Sequence, residues 1–270
     1  LHFPENTGWE GFAMPKIMIC GRGGSGKSTL VTLLAKVLAE RGKVLVVDTD
    51  ESNLGLHKML GLFTPAMTLM GCLGGKPAVR EKLLASLQQK GGENVGFFTG
   101  DLSLASLPPE CTGGEWPLRF LRIGKIERSL EGCACPMGAV ARSFLKQLRV
   151  DQNEWVLVDT EAGVEHFGRG VVEGVDLVVM VVDPSHEAIL LAERAKALTA
   201  GVGKDFVVVL NKIDAATEPF LRRELSAKGI PVRGAFGFAP EIMKANLTGN
   251  PLPAGNCQEQ VNKLLASLTF

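Results

Sequence analysis

A chain of 270 residues with 29 basic and 29 acidic side chains has room for a sizeable core and carries no net charge. Nothing in that balance suggests a general surface for nucleic acid or acidic lipid, and no apolar run approaches the roughly 18 residues of a membrane span. Residues 1–13 precede Met14 and read as an expression remnant or a disordered leader, leaving 14–270 as a single domain.

In chain order, Ile17-Met18-Ile19-Cys20 reads as a buried strand. The run Gly21-Arg22-Gly23-Gly24-Ser25-Gly26-Lys27-Ser28-Thr29 follows and satisfies the phosphate-loop pattern, a glycine, four residues, then Gly-Lys-Ser/Thr. Leu30, Leu33, Leu34, Val37 and Leu38 then recur at helical spacing. Glycines let backbone N–H groups converge on phosphate oxygens, and a helix N-terminus adds a favourable dipole. The expectation is a nucleoside triphosphate held by Gly23, Gly24, Ser25, Gly26, Lys27, Ser28 and Thr29. Lys27 would neutralise β/γ-phosphate charge, and the Ser28 hydroxyl would ligate Mg²⁺.

Val44 to Val47 is a second strand, ending in Asp48-Thr49-Asp50. Carboxylates at the carboxyl end of a parallel strand lie where triphosphate and Mg²⁺ must sit; solvated turn carboxylates are the other reading. Residues 61–118 are broken by Pro65, Gly74-Gly75, Gly91-Gly92 and Pro108-Pro109, with a short amphipathic helix over 79–89, and read as a partner-facing lobe. Leu118 to Ile123 is a strand, followed by Cys133-Ala134-Cys135-Pro136 and a helix over 139–148.

Residues i and i+2 of an extended segment point the same way. Cys133 and Cys135 therefore form a soft ligand pair suited to nickel, zinc, copper(I) or an iron–sulfur cluster. Two ligands are too few for a closed site, and two copies of the chain would supply four. Cys-x-Cys is a common spacing, so plain packing stays open. Cys20, Cys72, Cys111 and Cys257 read as lone packing residues. Six cysteines without an export signal point to a reducing, cytoplasmic setting and thiol chemistry rather than disulfides.

Trp155 to Val158 is another strand and ends in Asp159, an acid placed to hold a magnesium-bound water. Glu165-His166 reads as a metal ligand, a switch contact or a helix cap, and His57 and His186 as surface or packing residues. Two further strands, Asp176 to Asp183 and Phe206 to Leu210, each precede a helical pattern. The second runs into Asn211-Lys212-Ile213-Asp214, which fits guanine reading by a carboxylate or a helix cap at Asp214. The last helix, Gln258 to Leu268, has one apolar face and only Lys263 as a basic residue, too little charge for a membrane anchor. Strands alternating with helices predict an α/β fold with an open, mostly parallel sheet flanked by helices.

The glycine-rich loop resembles the deviant phosphate loop (deviant Walker A) of the MinD, nitrogenase iron protein and CooC families, with Arg22 in place of their early lysine. With Asp48-Thr49-Asp50, the mid-chain Cys-x-Cys, Val158-Asp159-Thr160-Glu161-Ala162-Gly163-Val164-Glu165-His166 and then Arg169-Gly170, the chain resembles CooC-type nickel-insertion ATPases that serve carbon monoxide dehydrogenase. The resemblance runs from about residue 15 to the C-terminus and weakens over 61–118. It implies a SIMIBI-like P-loop NTPase acting as a homodimer with ATP/ADP and Mg²⁺. Asp50 would orient the attacking water, Asp48 would support the metal's water shell, and Gly163 would sense the γ-phosphate. Arg22, always charged, would reach the partner's phosphates. Asn211, Lys212, Pro240, Glu241 and Ile242 would surround adenine. Cys133 and Cys135 of two copies would bind Ni²⁺ or Zn²⁺ for delivery to a nickel enzyme. Glu51 stands where many relatives have proline. Two alternatives are a GTP-dependent metallochaperone, favoured by Asn211–Asp214, and a MinD-like positioning or partition ATPase without metal. A nitrogenase-like redox carrier fits the Cys-x-Cys poorly.

Overall fold

The computed structural model describes residues 16–88, 96–126 and 135–268. The expected leader over 1–13 and Cys133 lie outside them. Eight strands form one sheet in the order β10-β9-β8-β1-β7-β2-β5-β4. They are β1 (Lys16–Cys20), β2 (Lys43–Asp48), β4 (Thr112–Gly113), β5 (Leu118–Arg122), β7 (Glu154–Asp159), β8 (Leu177–Val182), β9 (Asp205–Ile213) and β10 (Val232–Gly237). Every pairing is parallel except that of the short edge strand β4 with β5. Two-residue strands β3 (Leu102–Ser103) and β6 (Leu148–Arg149) pair separately.

The central strands are nearly continuous runs of Val, Ile, Leu and Met because both faces are covered. Side chains alternate between two layers, as a period of two requires. Ile17 and Ile19 join Val44, Val46 and Leu157 on one side, while Met18 and Cys20 join Leu45, Val47 and Val158 on the other. On the first side lie α1 (Lys27–Ala39), α9 (Pro240–Thr248) and α10 (Gln258–Ser267); on the second, α5 (Cys135–Gln147), α7 (His186–Ala200) and α8 (Thr217–Ala227). Full burial of each such aliphatic side chain stabilises by about 1.5–3 kcal/mol. α10 spends its apolar face, Val261, Leu264, Leu265 and Leu268, inside the core. Among the described residues no helix is long and apolar enough to cross a membrane.

The segment from 61 to 118 folds into one 14-residue helix and several short pieces. They include α3 (Leu69–Cys72), α4 (Gly75–Gln88) and 3₁₀ turns at Leu104–Ser106 and Pro109–Cys111, in addition to α2 (Leu56–Leu60) before it and α6 (Glu165–Gly168) later in the chain. One expectation fails here. Cys72 and Cys111 are not lone residues but a disulfide, with Cα atoms 6.8 Å apart across 39 residues. The antiparallel return of β4 along β5 carries residue 111 back to α3, a non-local contact that local spacing does not encode.

Candidate functional site

β1, the glycine-rich loop and α1 form the strand–loop–helix unit that the motif requires. Two glycines are fixed by geometry. Gly21 has φ +145°, and a Cβ there would lie 2.5 Å from the Val181 carbonyl oxygen. Gly26 has φ +102°, and its Cβ would lie 2.1 Å from Asn211 Nδ2. The loop is braced from β9: Asn211 Nδ2 donates to Ser25 O at 2.7 Å, and Lys212 Nζ donates to Gly24 O at 2.7 Å. Lys27 Nζ donates back to Arg22 O at 3.2 Å, so the loop's principal cation already points over its own concavity.

Beside this loop opens a cavity of about 540 Å³, within the range of nucleotide-sized pockets. Gly24, Gly26, Lys27, Ser28 and Thr29 line one side; Asn211 and Lys212 line the back; Phe236, Phe238, Ala239, Ile242, Met243 and Asn246 line the far wall. Pro240 and Glu241, expected beside adenine, are not among the lining residues. They open α9, where helical periodicity turns Ile242, Met243 and Asn246 inward instead. Gly23 and Ser25 also lie outside the lining; Ser25 is fully buried under the loop. Asp214 does not face the cavity. Its Oδ1 accepts from Ala216 N, Thr217 N and Thr217 Oγ1 at the start of α8, so the guanine-reading alternative loses its carboxylate.

At the carboxyl ends of the strands, Asp48 and Asp159 are register partners. Asp159 Oδ2 accepts from Ser28 Oγ at 2.7 Å and from Asn53 Nδ2 at 3.1 Å, while its Oδ1 is buried without a partner. Burial pushes Asp159 up to about 6, against the pull of Ser28 and Lys27. An orphaned carboxylate oxygen next to the Ser28 hydroxyl is the donor set that a hydrated Mg²⁺ would use. Asp48 is placed differently from its expected role in the metal's water shell. Its Oδ2 accepts from buried Lys125 Nζ at 2.6 Å and its Oδ1 from Asp50 N at 3.1 Å. Burial still pushes Asp48 up to about 7. Lys125 Nζ also donates to Asp50 O, so one lysine holds the turn that carries Asp50. Asp50 Oδ1 accepts from Ser52 N and Ser52 Oγ.

Gly163 N donates to Gly21 O at 3.2 Å, tying the second nucleotide-facing loop to the first glycine of the phosphate loop. Arg22 forks onto Asp183 of its own chain. His166 is buried with neither ring nitrogen partnered, and burial together with the Lys27 and Arg169 charges holds it neutral, down to about 3. Arg169 Nη1 donates to Glu161 Oε2 at 2.7 Å and lies 3.7 Å from Glu51 Oε1.

The cysteines part company. Cys20 is core, its thiol pushed up to about 12 by burial. Cys257 borders the nucleotide cavity. Cys135 opens α5 with its sulfur in a disulfide, which removes the expectation of thiol chemistry alone. Among the described residues no three His, Cys, Asp or Glu side chains converge as a metal site. Sequence reasoning missed Lys125, Asn53, Asp183 and Glu161 as parts of the site. Lys125, Asn53 and Asp183 belong to no short motif, and Glu161 stands inside the Asp159–His166 segment with no role assigned to it; a lysine three residues past the end of β5 was the one available signal for Lys125.

The model of the CobQ/CobB/MinD/ParA nucleotide binding domain matches residues 17–252, and the chain belongs to that family. An uncharacterized ATP-binding protein of Methanocaldococcus jannaschii is 42% identical over 240 residues, 88% of this chain and 94% of its own length. The carbon monoxide dehydrogenase accessory protein CooC of Rhodospirillum rubrum is 30% identical over 260 residues, 94% of this chain and 95% of its own. The cell division ATPase MinD of Pyrococcus furiosus superimposes with a TM-score of 0.63 at 18% identity, covering 94% of this chain and 98% of that one. The septum site-determining protein MinD of Pyrococcus horikoshii, complexed with Mg-ADP, gives 0.62 at 19% identity over 92% and 93%. The family match shows a nucleotide binding domain, and the structural likenesses show a MinD-like P-loop fold.

Proposed function

We propose that the chain is a nucleotide-switched homodimeric ATPase that binds nickel or zinc through Cys133 and Cys135 of two copies and delivers the metal to a nickel enzyme such as carbon monoxide dehydrogenase. The observation that carries the reading is the bonding of the β5 exit to the Asp50 turn. Ile123 N donates to Asp48 O, Lys125 Nζ to Asp48 and Asp50, and Ile126 N to Glu51 O, seven residues before Cys133. A shift of that turn on hydrolysis is therefore transmitted to the backbone that leads into the Cys-x-Cys. Similarity to the Rhodospirillum rubrum accessory protein over nearly the whole chain supports the same client class.

In the hydrolytic step, Lys27 and the loop N–H groups bind the phosphates, and Ser28 with Asp159 would hold Mg²⁺ and its waters. That ion would supply neutralisation of phosphate charge. Asp50 orients the attacking water, and Arg22 reaches the partner's phosphates. Metal loading requires both sulfurs reduced, since a thiolate and not a disulfide is the ligand. Nucleotide can change metal affinity only if two dimer arrangements bind metal differently, and the effect is reciprocal.

The test is titration of the reduced protein with Ni²⁺ or Zn²⁺, with and without non-hydrolysable ATP. One ion per dimer with nucleotide-dependent affinity is expected, and it should disappear in Cys133→Ala/Cys135→Ala while ATP still binds. Equal affinities remove the coupling; retained stoichiometry places the ligands elsewhere. A metal-free dimer that associates with lipid or DNA would favour the positioning alternative.

A further inference from the structure

Glu51 follows Asp50 in one nucleotide-facing loop, and Glu161 precedes Gly163 by two residues in the other. Their carboxyl groups are brought together and share one cation, Arg169, 2.7 Å from Glu161 Oε2 and 3.7 Å from Glu51 Oε1. Each acid keeps one buried oxygen without a partner, Glu51 Oε2 and Glu161 Oε1. The arginine is held from behind. A Cβ on Gly138, in the first turn of α5, would lie 2.8 Å from Arg169 Cβ and Cδ, so the bare glycine is what lets the Arg169 stem lie against the helix. Glu161, His166 and Arg169 also border a small, partly open space beside Thr49. Through Nη1 the arginine thus ties both loops to a side chain that lies against α5.

We propose that Arg169 is a positioning residue for nucleotide hydrolysis, holding Glu51 against Glu161 and so fixing the spacing between Asp50 and Gly163 at the γ-phosphate end of the site. This rests on the reading of the chain as an ATPase and not on metal at the cysteines. Without the guanidinium, two facing carboxylates remain. Neutral His166 beside them supplies no compensating charge, so the two acids repel and the loops that carry them separate.

The test is steady-state ATP turnover at one fixed pH, with kcat and KM separated, for the full chain and its variants. Wild-type turnover comes first: its absence overturns the ATPase reading and this one with it. Arg169→Met is expected to lower kcat by about tenfold, with KM for ATP within about threefold. Arg169→Lys should recover part of the loss, and Arg169→Met/Glu161→Gln most of it, because neutralising one acid removes the repulsion. A loss confined to KM, or no rescue by Glu161→Gln, overturns the proposal. Should Arg169→Met fail to fold, Arg169→Lys decides: kcat lowered at least about twofold with KM unchanged is expected, and a wild-type kcat overturns the proposal.

Discussion

Arg22 spends its guanidinium on Asp183 of its own chain, with Nε 2.8 Å from Oδ1 and Nη2 2.5 Å from Oδ2. Burial works against the Asp183 carboxylate, yet the hydrogen bonds and charge of Arg22 hold it below the usual range. A fork engaged in both prongs is unavailable to a second copy, so any action of Arg22 across a dimer must first open this contact. The contact is then a competitor of the dimer. Asp183→Asn is expected to tighten ATP-dependent self-association by several-fold, within the usual range of coupling between sites. Sedimentation at graded protein concentration with non-hydrolysable ATP measures it; an unchanged dimer constant would mean that Arg22 does not cross the interface.

Gly26 is one of two glycines of the phosphate loop, with Gly21, that leave no room for a side chain. A left-handed backbone at a non-glycine residue costs about 1–2 kcal/mol, and the added methyl would displace Asn211 and break its bond to Ser25 O. Gly26→Ala should therefore lose ATP affinity by at least about tenfold, each tenfold being about 1.4 kcal/mol. A fluorescent ATP analogue titrated against both proteins checks this, and near-equal affinities would show that the Asn211 brace is dispensable.

Lys125 and Asp48 are both almost fully buried, with side-chain exposures of 2% and 1%. Removing one partner strands the other's charge, at a cost of about 3–5 kcal/mol. Lys125→Met should lower the free energy of urea unfolding by that amount at pH 8, and less at pH 5, where Asp48 readily takes up a proton instead. Asp48→Asn in the same background should restore most of the stability. If the double variant is no better than the single one, packing of the lysine stem and not charge is what matters.

The parts of the fold that one sequence makes visible are those set by near neighbours. β1, β2 and β7 are continuous aliphatic runs, and Gly21 to Thr29 carries its own geometry. What stays hidden is non-local. Lys125 reaches Asp48 across 77 positions, Arg22 reaches Asp183 across 161, and Cys72 meets Cys111 across 39. No local period or spacing encodes these, because they arise only once the crossovers lay β5, β2, β7, β1 and β8 side by side. α9 shows the intermediate case: its position at the cavity was legible, but its rotation, which faces Ile242 and not Glu241 inward, was not.

His166 makes the stability of the fold depend on pH. Its folded value is depressed to about 3, first by burial and then by the Lys27 and Arg169 charges, against an ordinary 6.5. Between those values the unfolded chain binds a proton that the folded chain refuses, so stability falls as pH is lowered below about 6.5. At about 1.4 kcal/mol per unit, going from pH 6.5 to 5 removes about 2 kcal/mol through this residue. Asp48, Asp159 and Glu161, all raised, act in the opposite direction, since each is easier to protonate folded than unfolded. Bulk acid unfolding therefore mixes the two, and only a difference isolates the imidazole. His166→Phe keeps the ring and its 4.6 Å contact partner Phe167 while removing the titration. The stability of wild type minus that of His166→Phe should fall by about 2 kcal/mol from pH 6.5 to 5 and stay flat from 7 to 8. A flat difference throughout would mean that His166 finds a proton-sharing partner in the folded chain, and the two unsatisfied ring nitrogens would then need reassignment.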